Sequence, residues 1–170
     1  MFDKTILILG SKPRSKLPDI NVDEVFTANG AAERGRIYKT KYKKVKFSSI
    51  VGAKEFLKND LVKKYIIASN PDNLIVRTGF IEKKKYFRES CNIEHLSWTQ
   101  QFQIQKKFFK YGAFSIILAE LLNWNLTSRD PKFYRKILHL LRTIKHNEFW
   151  GVSTGLFAIL YALNKYPNAK

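Results

Sequence analysis

Residues 5–9 form an unbroken run of β-branched and leucine side chains that empties directly into Gly10-Ser11-Lys12-Pro13-Arg14-Ser15. A strand that is apolar on both sides needs cover on both sides, which is the habit of parallel sheets with helical crossovers. The segments that follow keep the alternation. Residues 23–27 read as a second strand ending in Ala28-Asn29-Gly30, 31–38 as a short helix, 44–48 as a strand and 51–58 as a helix. Residues 64–69 read as another strand, closed by the Asn70-Pro71-Asp72-Asn73 turn, and 74–77 as a short one. This order predicts an α/β fold, an open and mostly parallel sheet of Rossmann-like, GT-A-like type. Beyond about residue 90 the pattern turns helical. A helix is expected over 98–111, with Phe102, Ile104, Phe108 and Phe109 on one face, and others over 114–122 and 156–163. One more is expected over 131–146, behind an Asp130 N-cap and Pro131 in the first turn. The expected organisation is a single domain over 1–170, with 1–90 mainly alternating and 91–170 mainly helical.

A chain of 170 residues, 45% apolar and 14% aromatic, has enough core-forming side chains to fold as one domain. Its one cysteine, Cys91, excludes an intramolecular disulfide framework and a cysteine-based zinc site. Cys91 reads as an intracellular thiol at a half-buried packing position. The apolar runs are too short for a signal peptide or a membrane span, so a cytoplasmic location is expected. The net charge of +17 points towards polyanions, with dense patches at 39–44 and 83–85. No RNP-like aromatic sequence, GXXG loop or zinc knuckle accompanies those lysines. Solvated faces are therefore preferred over a nucleic-acid footprint, and peripheral contact with an anionic membrane stays among the expectations. His95, His139 and His146 lack metal-ligand spacing. His139 sits among leucines as a packed residue, His146 suits a helix C-terminus, and Glu94-His95 is a candidate acid/base pair.

Polar bends carry the chemistry. Gly10-Ser11-Lys12-Pro13-Arg14-Ser15 follows the first strand, where open α/β sheets bind phosphates, but its single glycine fits neither a Walker A loop nor GxGxxG. Asn29 ends the second strand and offers an amide to a base, a sugar or a phosphate; Asn-Gly is equally a plain turn. Gly151-Val152-Ser153-Thr154-Gly155 opens onto an apolar helix, whose first N–H groups and positive dipole end suit an anion. Ser153 is also a natural N-cap.

Taken together, residues 6–15, 23–29 and 152–163 resemble the sialyltransferases, both the animal-type family (family 29) and the bacterial family of related architecture (family 42). The resemblance covers roughly 4–30 and 150–166, and its strongest part is Ser153-Thr154-Gly155 with the helix behind it. It implies donor-binding roles for Gly10, Ser11, Asn29, Ser153, Thr154 and Gly155 in a glycosyltransferase that takes a CMP-sugar donor and a glycan acceptor. Pro13 and Ser15 match the first loop only with Arg14 inserted between them. It implies a metal-independent enzyme, since no Asp-x-Asp is present to hold a divalent ion, and no cofactor. In these families the catalytic histidine lies well beyond the Ser-Thr-Gly helix, so the catalytic residues stay unassigned and the chain is expected to be C-terminally incomplete. The paired cysteines of the animal enzymes are missing, in keeping with a bacterial or cytosolic version. The rival readings are a non-catalytic remnant that binds anions and a basic nucleic-acid-binding protein.

Overall fold

The computed structural model describes residues 4–10, 16–77, 79–108 and 153–169. The chain divides into two units, residues 1–95 with 154–170, and residues 96–153. The sheet strands are β1 (Ile6–Leu9), β2 (Glu24–Ala28), β3 (Lys46–Gly52), β4 (Asn73–Arg77) and β5 (Asn92–Leu96). They pair in the order β1-β2-β3-β4-β5, all parallel, as an open Rossmann-like α/β sheet. The crossovers carry α1 (Ala32–Lys41), α2 (Ala53–Lys58), α3 (Asp60–Ser69) and α4 (Lys83–Tyr86). In the second unit lies α5 (Trp98–Lys106), and α6 (Thr154–Lys165) returns to the first.

Each strand is laid beside its predecessor, so the crossovers advance in one direction. Right-handed crossovers then fall on one face of the sheet and leave the other for α6. The pleat sorts the side chains accordingly. Leu9, Val25, Phe47, Val51, Leu74 and Val76 share one apolar core with Tyr38 of α1, Phe56 of α2 and Val62 and Ile66 of α3. Their strand neighbours turn the other way. Phe26 meets Tyr161 of α6 edge-on at 6.2 Å, and Arg77 lies over Phe157 at 4.4 Å. At the far end of α6, Lys165 and Tyr166 reach Glu24 at the start of β2. The C-terminal helix therefore runs against the strands, with its N-terminus at their carboxyl ends.

Most expected strands stand within a residue or two, but some segments differ. Residues 64–69 lie in α3 rather than in a strand. Asn59 caps that helix, its side chain accepting from the Val62 N–H, and Val62, Ile66 and Ser69 are buried at helical spacing. The β-branched local run yields to this cap and to the packing face. Asn70, left-handed at φ 43°, ends the helix just before Pro71. Val51 and Gly52 extend β3 instead of opening α2. A fifth strand, β5, occupies 92–96, where helical character was expected to begin. In the second unit α5 stops at Lys106; Phe102 and Ile104 are buried, and Phe108 is exposed rather than part of the inner face. Its start is fixed by a capping box between Ser97 and Gln100. Phe109, the helices expected over 114–122 and 131–146, His139 and His146 lie outside the described residues.

Candidate functional site

A cavity of about 570 Å³ opens at the carboxyl end of β1 and β2, lined by Ile8, Leu9, Gly10, Ala28, Asn29, Gly30, Gly155, Ala158 and Ile159. Its volume lies within the usual range of small-molecule sites. Three separated stretches build it. β1 contributes its last residues and Gly10; β2 contributes Ala28 and the tight turn Asn29–Ala31; α6 contributes its first two turns. Gly10, Asn29 and Gly155, three of the residues singled out from sequence, therefore meet around one space. Ser11 lies outside the described residues. Ser153 is exposed and is the last residue of the second unit. Thr154 opens α6, and its Oγ1 accepts from Arg77 Nη1 at 3.4 Å.

Local chemistry accounts for each position. Asn29 has φ 49°, in the left-handed region that asparagine tolerates better than most residues. Its side-chain Oδ1 is buried with no hydrogen-bond partner among the described residues. A buried acceptor left unsatisfied costs roughly 1–3 kcal/mol. A ligand N–H or O–H at the cavity wall would remove that cost. At Gly10, Arg34 of α1 donates to the backbone carbonyl at 2.8 Å and pins the end of β1. Among the described residues, nothing lies within 4 Å of where a Cβ at Gly10 would stand. Gly155 sits in the first turn of α6, where N–H groups have no partner within the helix and the dipole is positive.

Arg77 and Arg34 belong to none of the polar bends singled out from sequence. Arg77 ends β4 and is buried, and burial lowers its guanidinium from the usual value to about 10. It ties the sheet rim to α6 through Thr154 and the Phe157 ring. An arginine closing an otherwise apolar strand was the available signal. Glu94 and His95 do not form an acid/base pair. They alternate to opposite sides of β5: Glu94 accepts from Tyr161 Oη at 2.5 Å, whereas His95 Nε2 accepts the Ile81 N–H at 3.2 Å and stacks on Phe80. Cys91 is fully buried rather than half-buried, and desolvation pushes its thiol up.

What the cavity can do follows from its wall. Apolar side chains, backbone N–H groups and one amide can bind a ligand with a flat or apolar part and an anionic part. None of the described lining residues is titratable. Among the described residues no group of three or more His, Cys, Asp or Glu side chains gathers to hold a metal ion, and no helix is long and apolar enough to cross a membrane. Comparison with known proteins returns no match: no family, no curated protein and no solved structure is similar to this chain.

Proposed function

We propose that the chain is a nucleotide-sugar-binding domain of the sialyltransferase-like kind, taking a CMP-linked sugar in the cavity between β1, β2 and α6. The observation that carries this reading is the meeting of Gly10, Asn29 and Gly155 around one cavity of about 570 Å³. A helix N-terminus standing at the carboxyl ends of β1 and β2 favours the phosphate. The apolar wall suits the base and ribose faces. Asn29 Oδ1 accepts a donor hydrogen from the ligand, and the glycines let the ligand approach the backbone.

In transfer, an acceptor hydroxyl on a glycan displaces the nucleotide, and the N–H groups at the helix start stabilise the phosphate as it leaves. That displacement needs a base to take the hydroxyl proton. No described lining residue is such a base. A binding module without turnover is the second reading, favoured by that same lining.

Titration calorimetry with CMP tests the proposal. Binding is expected, weakened about tenfold or more in Asn29→Ala and in Gly10→Val, and changed little by salt over the range that abolishes polyanion binding. Absence of binding, or equal affinity in wild type and both variants, would overturn it. CMP release from CMP-sialic acid separates the enzyme from the module.

A further inference from the structure

On the other half of the same rim, exposed apolar side chains stand among lysines. Phe80 is 69% exposed, the highest value among the large apolar side chains of the described residues. It is held in place rather than left loose. Its ring stacks on His95 at 4.8 Å and 18°, and His95 accepts the N–H of the next residue, Ile81. Gly79, at φ +93°, turns the chain against α2, so closely that an added Cβ would stand 2.9 Å from the Ala53 Cβ. Leu57 lies one turn beyond Ala53 on the same side of α2 and is 49% exposed; Leu61, at the start of α3, is also exposed.

Charge surrounds these side chains. Residues 80–89 carry Lys83, Lys84, Lys85 and Arg88 against two carboxylates, Glu82 and Glu89, and Lys83 Nζ donates to the Glu89 backbone carbonyl at 2.7 Å. Lys63 of α3 and Lys85 both lie over the Tyr86 ring, at 5.2 and 5.5 Å, which gathers cations from two helices. Lys54 and Lys58 are exposed on α2. Of the nearby acids, Glu55 accepts from the Asn59 side chain at 2.8 Å and Asp60 sits in the first turn of α3.

We propose that the Phe80 loop, α4 and the exposed flank of α2 form a docking surface for an anionic lipid bilayer. An aromatic ring and two aliphatic side chains amid lysines are what a membrane interface accepts: the apolar groups enter the headgroup boundary and the lysines meet lipid charge. A nucleic acid would use the Phe80 plane for stacking but gains nothing from Leu57 and Leu61. The net charge of +17 adds long-range attraction to the same surface. This inference does not rest on the nucleotide reading, because none of its residues lines the cavity.

Co-sedimentation with phosphatidylcholine vesicles, with and without phosphatidylglycerol, tests it. The protein is expected to bind only the anionic vesicles, and less as salt rises. Replacing Lys83, Lys84 and Lys85 by Gln should weaken binding about a hundredfold, at about fivefold for each lysine. Phe80→Ser should weaken it about tenfold and Leu57→Ser by less, while Phe80→Trp keeps it. Circular dichroism of each variant checks that the fold is kept. Failure to bind anionic vesicles, or equal binding to neutral ones, would overturn the proposal. So would single-stranded polynucleotide that displaces the vesicles and loses affinity in Phe80→Ser but not in Leu57→Ser.

Discussion

The two faces of the sheet are held by different physics. Beneath α1, α2 and α3 the contacts are apolar and close-packed. Phe56 is fully buried and meets Tyr86 and Phe87 at 5.2 and 5.8 Å, and Gly35 lets α1 approach Phe47 so closely that no Cβ fits. Beneath α6 much of the interface is polar. Buried Glu24 accepts from Ser48 Oγ, from Tyr166 Oη at 2.5 Å and from Lys165 Nζ at 3.2 Å, and Asn73 continues the chain by donating to Ser48 Oγ at 2.8 Å. Tyr161 adds its bond to Glu94 and Arg77 its contact with Phe157. Apolar packing tolerates small slides; hydrogen bonds and ion pairs fix register. The polar face thus sets where the N-terminus of α6 stands, and with it the third wall of the cavity.

Substitutions that separate the two faces follow in order of expected effect. Phe56→Ala should cost about 4 kcal/mol in denaturant unfolding, nearly independent of pH. Glu24→Ala should cost about 3 kcal/mol, because Lys165, Ser48 and Tyr166 lose a shared acceptor. It should also reduce affinity at the cavity, because its ion-pair partner Lys165, 141 residues away in sequence, ends the helix whose first turns line that space. A Phe56→Ala variant that weakens the ligand equally would erase the contrast between the faces. Gly35→Ala should cost about 2 kcal/mol despite alanine's better helix propensity, since the new Cβ would stand 2.3 Å from the Phe47 ring.

The faces also differ in alkali. Burial, then the hydrogen bonds to Glu94 and Glu24, raises the Tyr161 and Tyr166 phenols well above the usual phenol value of 10.0. Their folded values exceed the unfolded one, so the stability they confer is fully present below pH 10 and is lost as pH rises further. Arg77 acts in the opposite sense: burial holds its guanidinium below its usual value, at about 10, so its contribution grows as pH rises above that. Tyr161→Phe with Tyr166→Phe should blunt the alkaline loss, read by unfolding midpoints at neutral pH and above pH 10. An unchanged alkaline loss in that double variant would contradict the assignment. The smallest stability effect belongs to Asn29→Gly, which relieves the left-handed backbone and removes the orphaned Oδ1; it should be neutral or slightly stabilising while weakening the ligand.

What the sequence made legible was local. The apolar run before Gly10, the strand ending at Ala28 and the helix after Ser153 carry their own signals of period, cap and turn, and the cavity is made from those stretches. Long-range context decided the remainder. Residues 64–69 read as a strand because Tyr65, Ile66 and Ile67 are good strand formers; the Asn59 cap and the burial of Val62 and Ile66 on one side override that preference. β5 was hidden because Asn92-Ile93-Glu94-His95-Leu96 is short and polar, and only its place beside β4 makes it a strand. Arg77 was invisible as a rim residue, since nothing near it in sequence announces the helix it meets, 77 residues further on. Two polar partners of Glu24, Lys165 and Tyr166, are more distant still.

The central claim is that the space between β1, β2 and the start of α6 receives a nucleotide phosphate. Amide resonances followed during titration with CMP test it most directly. Saturable shifts are expected at Gly10, Asn29, Gly30 and Gly155, with Lys83, Lys84 and Lys85 unmoved. Shifts confined to the lysines, or none at the four cavity residues, would contradict it.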